Sequence, residues 1–78
     1  MWNEGIIACP TTGGKYKYWA KVYDTDSEFG INQGRVSKLT ICKVGEYENL
    51  YNWDRGLDVD CANDEVRTVL NIILAKYS

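Results

Sequence analysis

The sequence predicts an α+β fold, in which a four-stranded antiparallel β-sheet in ββββα order carries one C-terminal α-helix on one face. The segments before Asn63 alternate with a period of two between turn-forming stretches, and the segment after it changes to a helical period. The 78 residues are too few for two cores, and 45% hydrophobic residues with three Trp and six Tyr are typical of a globular domain. We therefore expect residues 1–78 to form a single domain.

The first two strands are predicted to form a β-hairpin. Trp2–Cys9 is apolar and β-branched at its centre, and Lys15–Tyr23 alternates, with its tyrosines and aliphatic residues on one face. The connection Pro10–Gly14 has the length and the Pro, Thr and Gly content of a hairpin loop.

The third strand is predicted at Arg35–Val44, near the centre of the sheet, because Leu39 and Ile41 give it an apolar face. The preceding stretch Gly30–Gly34 has the glycines of a phosphate-binding loop, but neither a G-K-[ST] sequence nor a helix follows it. We therefore expect a turn between the second and third strands, with the glycines at positive φ.

The fourth strand is predicted at Glu48–Cys61, with a bulge or bend at Gly56. Its core face carries Arg55, which is tolerable if the guanidinium stacks on Trp53 or Tyr51 and pairs with a carboxylate, or if the bend turns it outward. Either arrangement leaves Arg55 partly exposed, as an anchor for a partner or as half of a structural Arg–Asp pair. The opposite face carries three aspartates, which we interpret as a solvated acidic surface: Asp54, Asp58 and Asp60.

The helix is predicted to begin after Asn63, which is a good N-cap. Its first turn contains Asp64 and Glu65, whose negative charges suit the positive end of the helix dipole. Its apolar residues fall on one face at helical spacing. Burial of that face against the sheet is expected to be the largest stabilising contribution. The residues of this face are Val66, Val69, Leu70, Ile73 and Tyr77.

The chain contains no histidine, which removes the usual general base and the commonest metal ligand. Its three cysteines form no C-x-x-C pair and are interpreted as reduced, buried thiols. The aspartates lack a cleft for acid–base catalysis and a turn that would wrap ligands around Ca²⁺ or Mg²⁺. We expect a non-enzymatic protein that uses no metal or cofactor.

Neither an export signal nor a membrane-spanning stretch is recognisable in the sequence. The odd number of cysteines is typical of a reducing compartment. These observations favour a cytoplasmic protein that does not bind membranes.

The second strand has the strongest nucleic-acid signal, because Lys15, Lys17, Trp19 and Lys21 share the face opposite the tyrosines. Lysines that contact phosphates and an aromatic ring that stacks on a base are the pattern of single-strand binders. The competing interpretation is that these lysines keep an exposed sheet face soluble.

The stretch Ser27–Leu39 reads SEFGINQGRVSKL, and Tyr51–Gly56 reads YNWDRG. Together they resemble a small uncharacterised family of Gram-positive bacteria and their phages and mobile elements, with an S-x-x-G-I-x-x-G-R-[IV]-S-K-L core before a D-R-G element. The resemblance covers nearly the whole chain. That family is a domain of unknown function, so the resemblance implies a genomic setting and no reaction. The matching residues are Gly30, Gly34, Arg35, Ser37, Lys38, Asp54, Arg55 and Gly56.

The function that the sequence favours is a small protein-binding module that docks on an unidentified protein of a host or mobile element. Trp and Arg are enriched at binding hot spots, and an inhibitor of the anti-CRISPR kind is one version, by analogy. Single-stranded nucleic-acid binding through the second strand is the alternative, and a small enzyme is the least favoured class. Both a monomer and a homodimer remain open. The predicted partner-binding residues are Arg35, Lys38, Trp53, Asp54, Arg55 and Asp58.

Overall fold

A computed structural model of the chain describes residues 2–78. Five strands form one antiparallel sheet in the order β1-β2-β3-β4-β5, so that each strand pairs with the next along the chain. A short 3₁₀ turn at Ile31–Gln33 precedes β3, and one α-helix ends the chain. The elements are β1 (Trp2–Ala8), β2 (Lys15–Val22), β3 (Val36–Lys43), β4 (Tyr51–Asp54), β5 (Leu57–Val59) and α1 (Asp64–Lys76).

The predicted hairpin of the first two strands is confirmed. Gly5 pairs with Tyr18 at its centre, and the pairing extends from Trp2 opposite Lys21 to Ala8 opposite Lys15. The loop is closed by a hydrogen bond of 2.7 Å from the Cys9 N–H to the Gly14 carbonyl. Each strand ends one residue earlier than predicted.

The prediction of a single fourth strand from Glu48 to Cys61 is wrong, because the chain reverses at Arg55. Arg55 has a left-handed backbone, with φ of 60°, and its N–H donates to the Ser37 carbonyl at 2.9 Å. The Asp54 N–H donates to the carbonyl of Gly56. The alternating segment therefore folds into a hairpin of β4 and β5, and the sheet has five strands.

The turn before β3 is confirmed, but the expectation that its glycines have positive φ is wrong. Positive φ falls on Asn32 and Gln33, at 54° and 57°, whereas Gly30 has φ of −78°. Asparagine tolerates the left-handed region better than most residues. Gly30 is needed for space, since a Cβ there would collide with the backbone carbonyl of Gly34.

The helix begins as predicted, with the Asn63 side chain accepting a hydrogen bond of 2.9 Å from the Val66 N–H. Its predicted apolar face is buried against the sheet, and a single core includes residues of both. The Tyr18 and Tyr77 hydroxyl groups, from β2 and the end of α1, are hydrogen-bonded at 2.8 Å. The fully buried side chains include Tyr18, Leu39, Ile41, Val66, Val69 and Ile73.

The helix covers one face of the sheet, and the side chains of the other face are partly or fully exposed along β1 and β2. A sheet with one covered face explains the alternation in both strands. Within residues 2–78, no helix has both the length and the apolar character that a bilayer crossing requires.

Candidate functional site

The sheet face that the helix leaves uncovered is called the open face here. Strand pairing places Trp19 of β2 beside Glu4 on β1 and Thr40 on β3, and it places Lys21 between Trp2 and Lys38. Alternation then assigns the remaining members. The open face includes Trp2, Glu4 and Ile6, Lys15, Lys17, Trp19 and Lys21, Lys38 and Thr40, and Asn52 and Asp54.

All four residues of the predicted nucleic-acid set lie on the open face, in the second strand of the sheet. The Lys17 ammonium nitrogen lies 5.0 Å from the centre of the Trp19 ring, a cation–π contact that holds the indole in place. Trp19 is half-buried, and Trp2 is 60% exposed. The stripe of lysines therefore has an aromatic ring at its centre and another at its border.

A hollow of about 160 Å³ adjoins the Trp19 ring. Since a water molecule in the liquid occupies about 30 Å³, this hollow has room for about five waters or one planar ring. The loop after β3 forms its other side, where Tyr47 is 96% exposed. Sequence reasoning missed Tyr47, because only the folding of this loop brings it to the strand. The hollow is lined by Lys17, Trp19, Lys43, Gly45, Glu46 and Tyr47.

The predicted partner-binding set does not form one surface. On the open face, the Lys38 ammonium group pairs with Asp54 at 3.4 Å. Asp58 accepts a hydrogen bond of 2.8 Å from the Asn52 amide, whose oxygen accepts one from Thr40 at 2.7 Å. These side chains therefore bind one another along one border of the open face.

Trp53 faces the other side of the sheet, where it packs against the core. Its indole N–H donates to the Phe29 carbonyl at 2.9 Å. Arg35 lies beyond it, with its Nε donating to the Tyr23 carbonyl at 2.9 Å. Both side chains are therefore hydrogen-bonded to backbone carbonyls, and Arg35 also lines a second hollow, of about 190 Å³, between the 3₁₀ turn and the end of α1.

Arg55 is exposed, as predicted, but it stacks on a ring that the sequence did not indicate. Its guanidinium carbon lies 4.6 Å from the centre of the Phe29 ring, so of the two predicted arrangements the stack on Trp53 or Tyr51 is wrong, and the outward turn at the bend agrees with the structure. The predicted structural Arg–Asp pair is also wrong, since Asp54 pairs with Lys38 and Asp60 pairs with Arg67 at 3.5 Å. Arg55 lies in the left-handed turn between β4 and β5 and not within a strand. Strand alternation therefore could not predict which residues its side chain contacts.

A contact that the sequence analysis did not indicate joins Lys21 to Tyr23, the residue that follows the end of β2. The neighbouring Lys21, through its polar contact and its positive charge, lowers the pKa of Tyr23 most, and Ser37 adds a smaller effect; burial partly offsets both, and the charge of Arg55 contributes least. The Tyr23 ring also lies 5.5 Å from the Lys21 ammonium nitrogen. The sequence could have indicated this contact, because Lys21 and Tyr23 are two residues apart and so lie on the same face of an extended chain.

The cysteines are free, and two of them are buried. Burial raises the pKa of the Cys42 thiol. Cys9 differs, because a side-chain hydrogen bond with Thr11, at 3.3 Å between Sγ and Oγ1, lowers its pKa. Among the described residues, no three Cys, Asp or Glu side chains converge as metal ligands do.

No curated protein and no solved structure matches this chain. A family model does match, and it covers residues 1–78, the whole length of the fold described above. The chain therefore belongs to the family described as a domain of unknown function, DUF7678.

Proposed function

We propose that this protein binds single-stranded nucleic acid on the open face. The observation that carries the proposal is the stripe Lys15–Lys17–Trp19–Lys21, which lies on an uncovered sheet face with Trp19 at its centre. Alternate residues of a strand are about 6.6 Å apart, so the ammonium groups form a row that follows a polyanion. Base stacking on an aromatic ring of such a face contributes about 1 to 3 kcal/mol.

The distribution of charge supports the same ligand. The net charge of the chain is −2, which gives the whole molecule no attraction for a polyanion. The five strands nevertheless contain five lysines and three acidic residues, and two of the acidic residues, Asp54 and Asp58, lie at the β4–β5 end of the sheet. The central strands are therefore locally basic, and the attraction should weaken steeply with salt.

Fluorescence anisotropy of a labelled oligothymidylate and a labelled oligouridylate at low ionic strength tests the proposal. We expect binding that weakens as salt is added, and we expect Trp19→Ala to weaken it about 5- to 150-fold, the equivalent of one stacked base. Trp53→Phe is the matched control, because Trp53 lies on the covered face and should leave the affinity unchanged.

Two results would contradict this function. One is the absence of binding at low salt by a protein whose circular dichroism shows it to be folded. The other is an equal loss of affinity in Trp19→Ala and in the Trp53 control.

Protein binding is a second candidate, supported by the exposed stack of Arg55 on Phe29. Phe29 is 44% exposed. Because the arginine is already held against the aromatic ring, its side chain would lose little further conformational entropy on binding a partner. A host protein of Gram-positive bacteria is the expected partner if the protein comes from a phage or mobile element. Affinity capture from such a lysate should then recover a protein that is lost with Phe29→Ala, and capture unaffected by this change would count against the candidate.

A further inference from the structure

The loop of residues 44–50, between β3 and β4, packs on one end of the open face. Cys42 of β3 pairs with Lys17 in the sheet, so it belongs to the open face. It is nevertheless only 4% exposed, although α1 covers the opposite face. Its Sγ donates to the Asn49 Oδ1 at 3.6 Å. The loop therefore buries Cys42, and the hollow beside Trp19 lies where loop and strand meet.

Backbone hydrogen bonds hold this loop against β2 and β3. The Val44 N–H donates to the Lys15 carbonyl at 3.1 Å, and the Leu50 N–H donates to the Ile41 carbonyl at 2.9 Å. Between them, Gly45 has a left-handed backbone, with φ of 85°. Both ends of the loop are thus fixed, and the wall of the hollow exists before any ligand binds. A preformed site binds at a smaller entropic cost than one that must be ordered.

Two aromatic side chains from different elements line the hollow. Trp19 belongs to β2 and is held by its contact with Lys17, whereas Tyr47 belongs to the loop and is 96% exposed. A ring with so few contacts rotates about its side-chain bonds in picoseconds to nanoseconds. It can therefore close on a flat ligand that is already stacked on Trp19. One ring of the hollow is fixed, and the other is free to move onto the ligand.

The polar residues of the hollow include both signs of charge. The Lys17 ammonium group lies beside the Trp19 ring, and Glu46 is the one acidic residue among the described residues that line the hollow. Within residues 2–78, Glu46 takes part in no ion pair. An ionised carboxylate only accepts hydrogen bonds. The hollow therefore suits a flat ring that carries N–H donors and is attached to an anionic group.

We propose that the hollow binds one base of a single strand between Trp19 and Tyr47, and that Glu46 selects a base with an amino group on its Watson–Crick edge. The inference rests on the proposed function, because the base belongs to the strand that follows the lysine stripe. Cytosine, adenine and guanine each present an amino group that donates to a carboxylate. Thymine and uracil present a single N–H between two carbonyl oxygens, which a carboxylate repels.

Fluorescence anisotropy with labelled oligodeoxycytidylate and oligothymidylate of equal length tests the choice of base. We expect the cytidylate to bind about fivefold or more tightly, the lower bound for one base-specific contact. Glu46→Gln should bring this ratio close to one, because an amide also donates to a thymine carbonyl. Glu48→Gln is the matched control, since it removes the same charge from the same loop but lies outside the hollow. It should leave the ratio unchanged.

A double-mutant cycle tests whether Trp19 and Tyr47 contact the same base. Tyr47→Ala should weaken binding of the oligodeoxycytidylate about fivefold or more, whereas Tyr47→Phe keeps the ring and should retain the affinity. If both rings stack on one base, Trp19→Ala and Tyr47→Ala together should cost less than the product of their separate losses. Because Tyr47 is exposed, its removal should leave the thermal midpoint unchanged. Independent losses would contradict the shared base.

The outcomes separate this inference from the proposed function. If oligothymidylate binds and Trp19→Ala weakens it, but the base ratio is near one and Tyr47→Ala has no effect, the base site is wrong and the proposed function stands. If cytidine monophosphate shifts the NMR signals of the Gly45 and Tyr47 amides while no oligonucleotide binds, the base site stands and the proposed function is wrong. An equal fall of the ratio in Glu46→Gln and Glu48→Gln would overturn the selection by Glu46. If neither the nucleotide nor an oligonucleotide binds, both proposals are overturned.

Discussion

Truncation of Ile73 to alanine should remove a large part of the stability of this domain. Ile73 lies on the buried face of α1 and is 0% exposed. Replacing a fully buried isoleucine with alanine costs about 2 to 5 kcal/mol, because transfer free energy is lost and a cavity is left. A domain of this length is stable by about 4 to 12 kcal/mol in total. We therefore expect the midpoint of urea unfolding to fall sharply, with an unchanged m-value.

The measurement is urea unfolding followed by far-UV circular dichroism and by tryptophan fluorescence, whose transitions should coincide. Ile73→Val is the milder companion, at about 0.5 to 1.5 kcal/mol, and it keeps the comparison possible if the alanine variant does not fold. Ile6→Ala is the matched control, since Ile6 is 59% exposed on the open face and should cost less than about 1 kcal/mol. Equal costs for the two alanine variants would refute the assignment of the covered and open faces.

Three further changes test single features of the fold. Asn63→Ala removes the N-cap of α1 and should lower the thermal stability by about 1 kcal/mol, so an unchanged melting curve would contradict the cap. Gly30→Ala brings a Cβ into the carbonyl across the turn, whereas Gly56→Ala meets open space. Only the first should lower the urea midpoint, and a similar loss in both would be evidence against the close approach. Burial raises the pKa of Tyr51 from 10.0 to about 12, so its contribution to stability is complete below pH 10. That contribution declines as the pH rises from about 10 to about 12, by at most about 1.4 kcal/mol per pH unit. Tyr51→Phe should flatten the decline of the urea midpoint above pH 10, and an unchanged decline would exclude Tyr51 as its source.

The two candidate functions use different parts of the surface, and the structure changes their order. Sequence reasoning favoured protein binding through Trp53 and its neighbours, yet the Trp53 indole packs on the core and donates to a backbone carbonyl. The lysine stripe of β2, the weaker prediction, lies uncovered on the open face. The position of the stripe follows from strand alternation, because successive side chains of a strand point to opposite faces. The lysines therefore lie on the face away from the tyrosines, whatever the tertiary contacts are.

Predictions that depended on residue spacing were accurate for the helix and for the first hairpin, whereas the alternation in Glu48–Cys61 did not indicate the reversal at Arg55. The helix, its cap at Asn63 and its buried face followed from a 3.6-residue period, and the β1–β2 hairpin followed from alternation around a Pro–Gly loop. The prediction of which turn residues have positive φ failed, because it was made from residue type alone. Left-handed φ occurs at Asn32, Gln33 and Arg55 rather than at the nearby glycines, because backbone hydrogen bonds across the turns decide which residue adopts it.

The sequence by itself determined the α+β class, the helix that seals one side of the sheet and the lysine stripe that lies on the other, because each depends on a local period. Only the tertiary structure decided that the chain reverses at Arg55 to give a fifth strand. It also decided that Arg55 stacks on Phe29. These outcomes depend on contacts between residues distant along the chain, such as the hydrogen bond from the Arg55 N–H to the Ser37 carbonyl. No periodic pattern in the sequence records contacts of that kind.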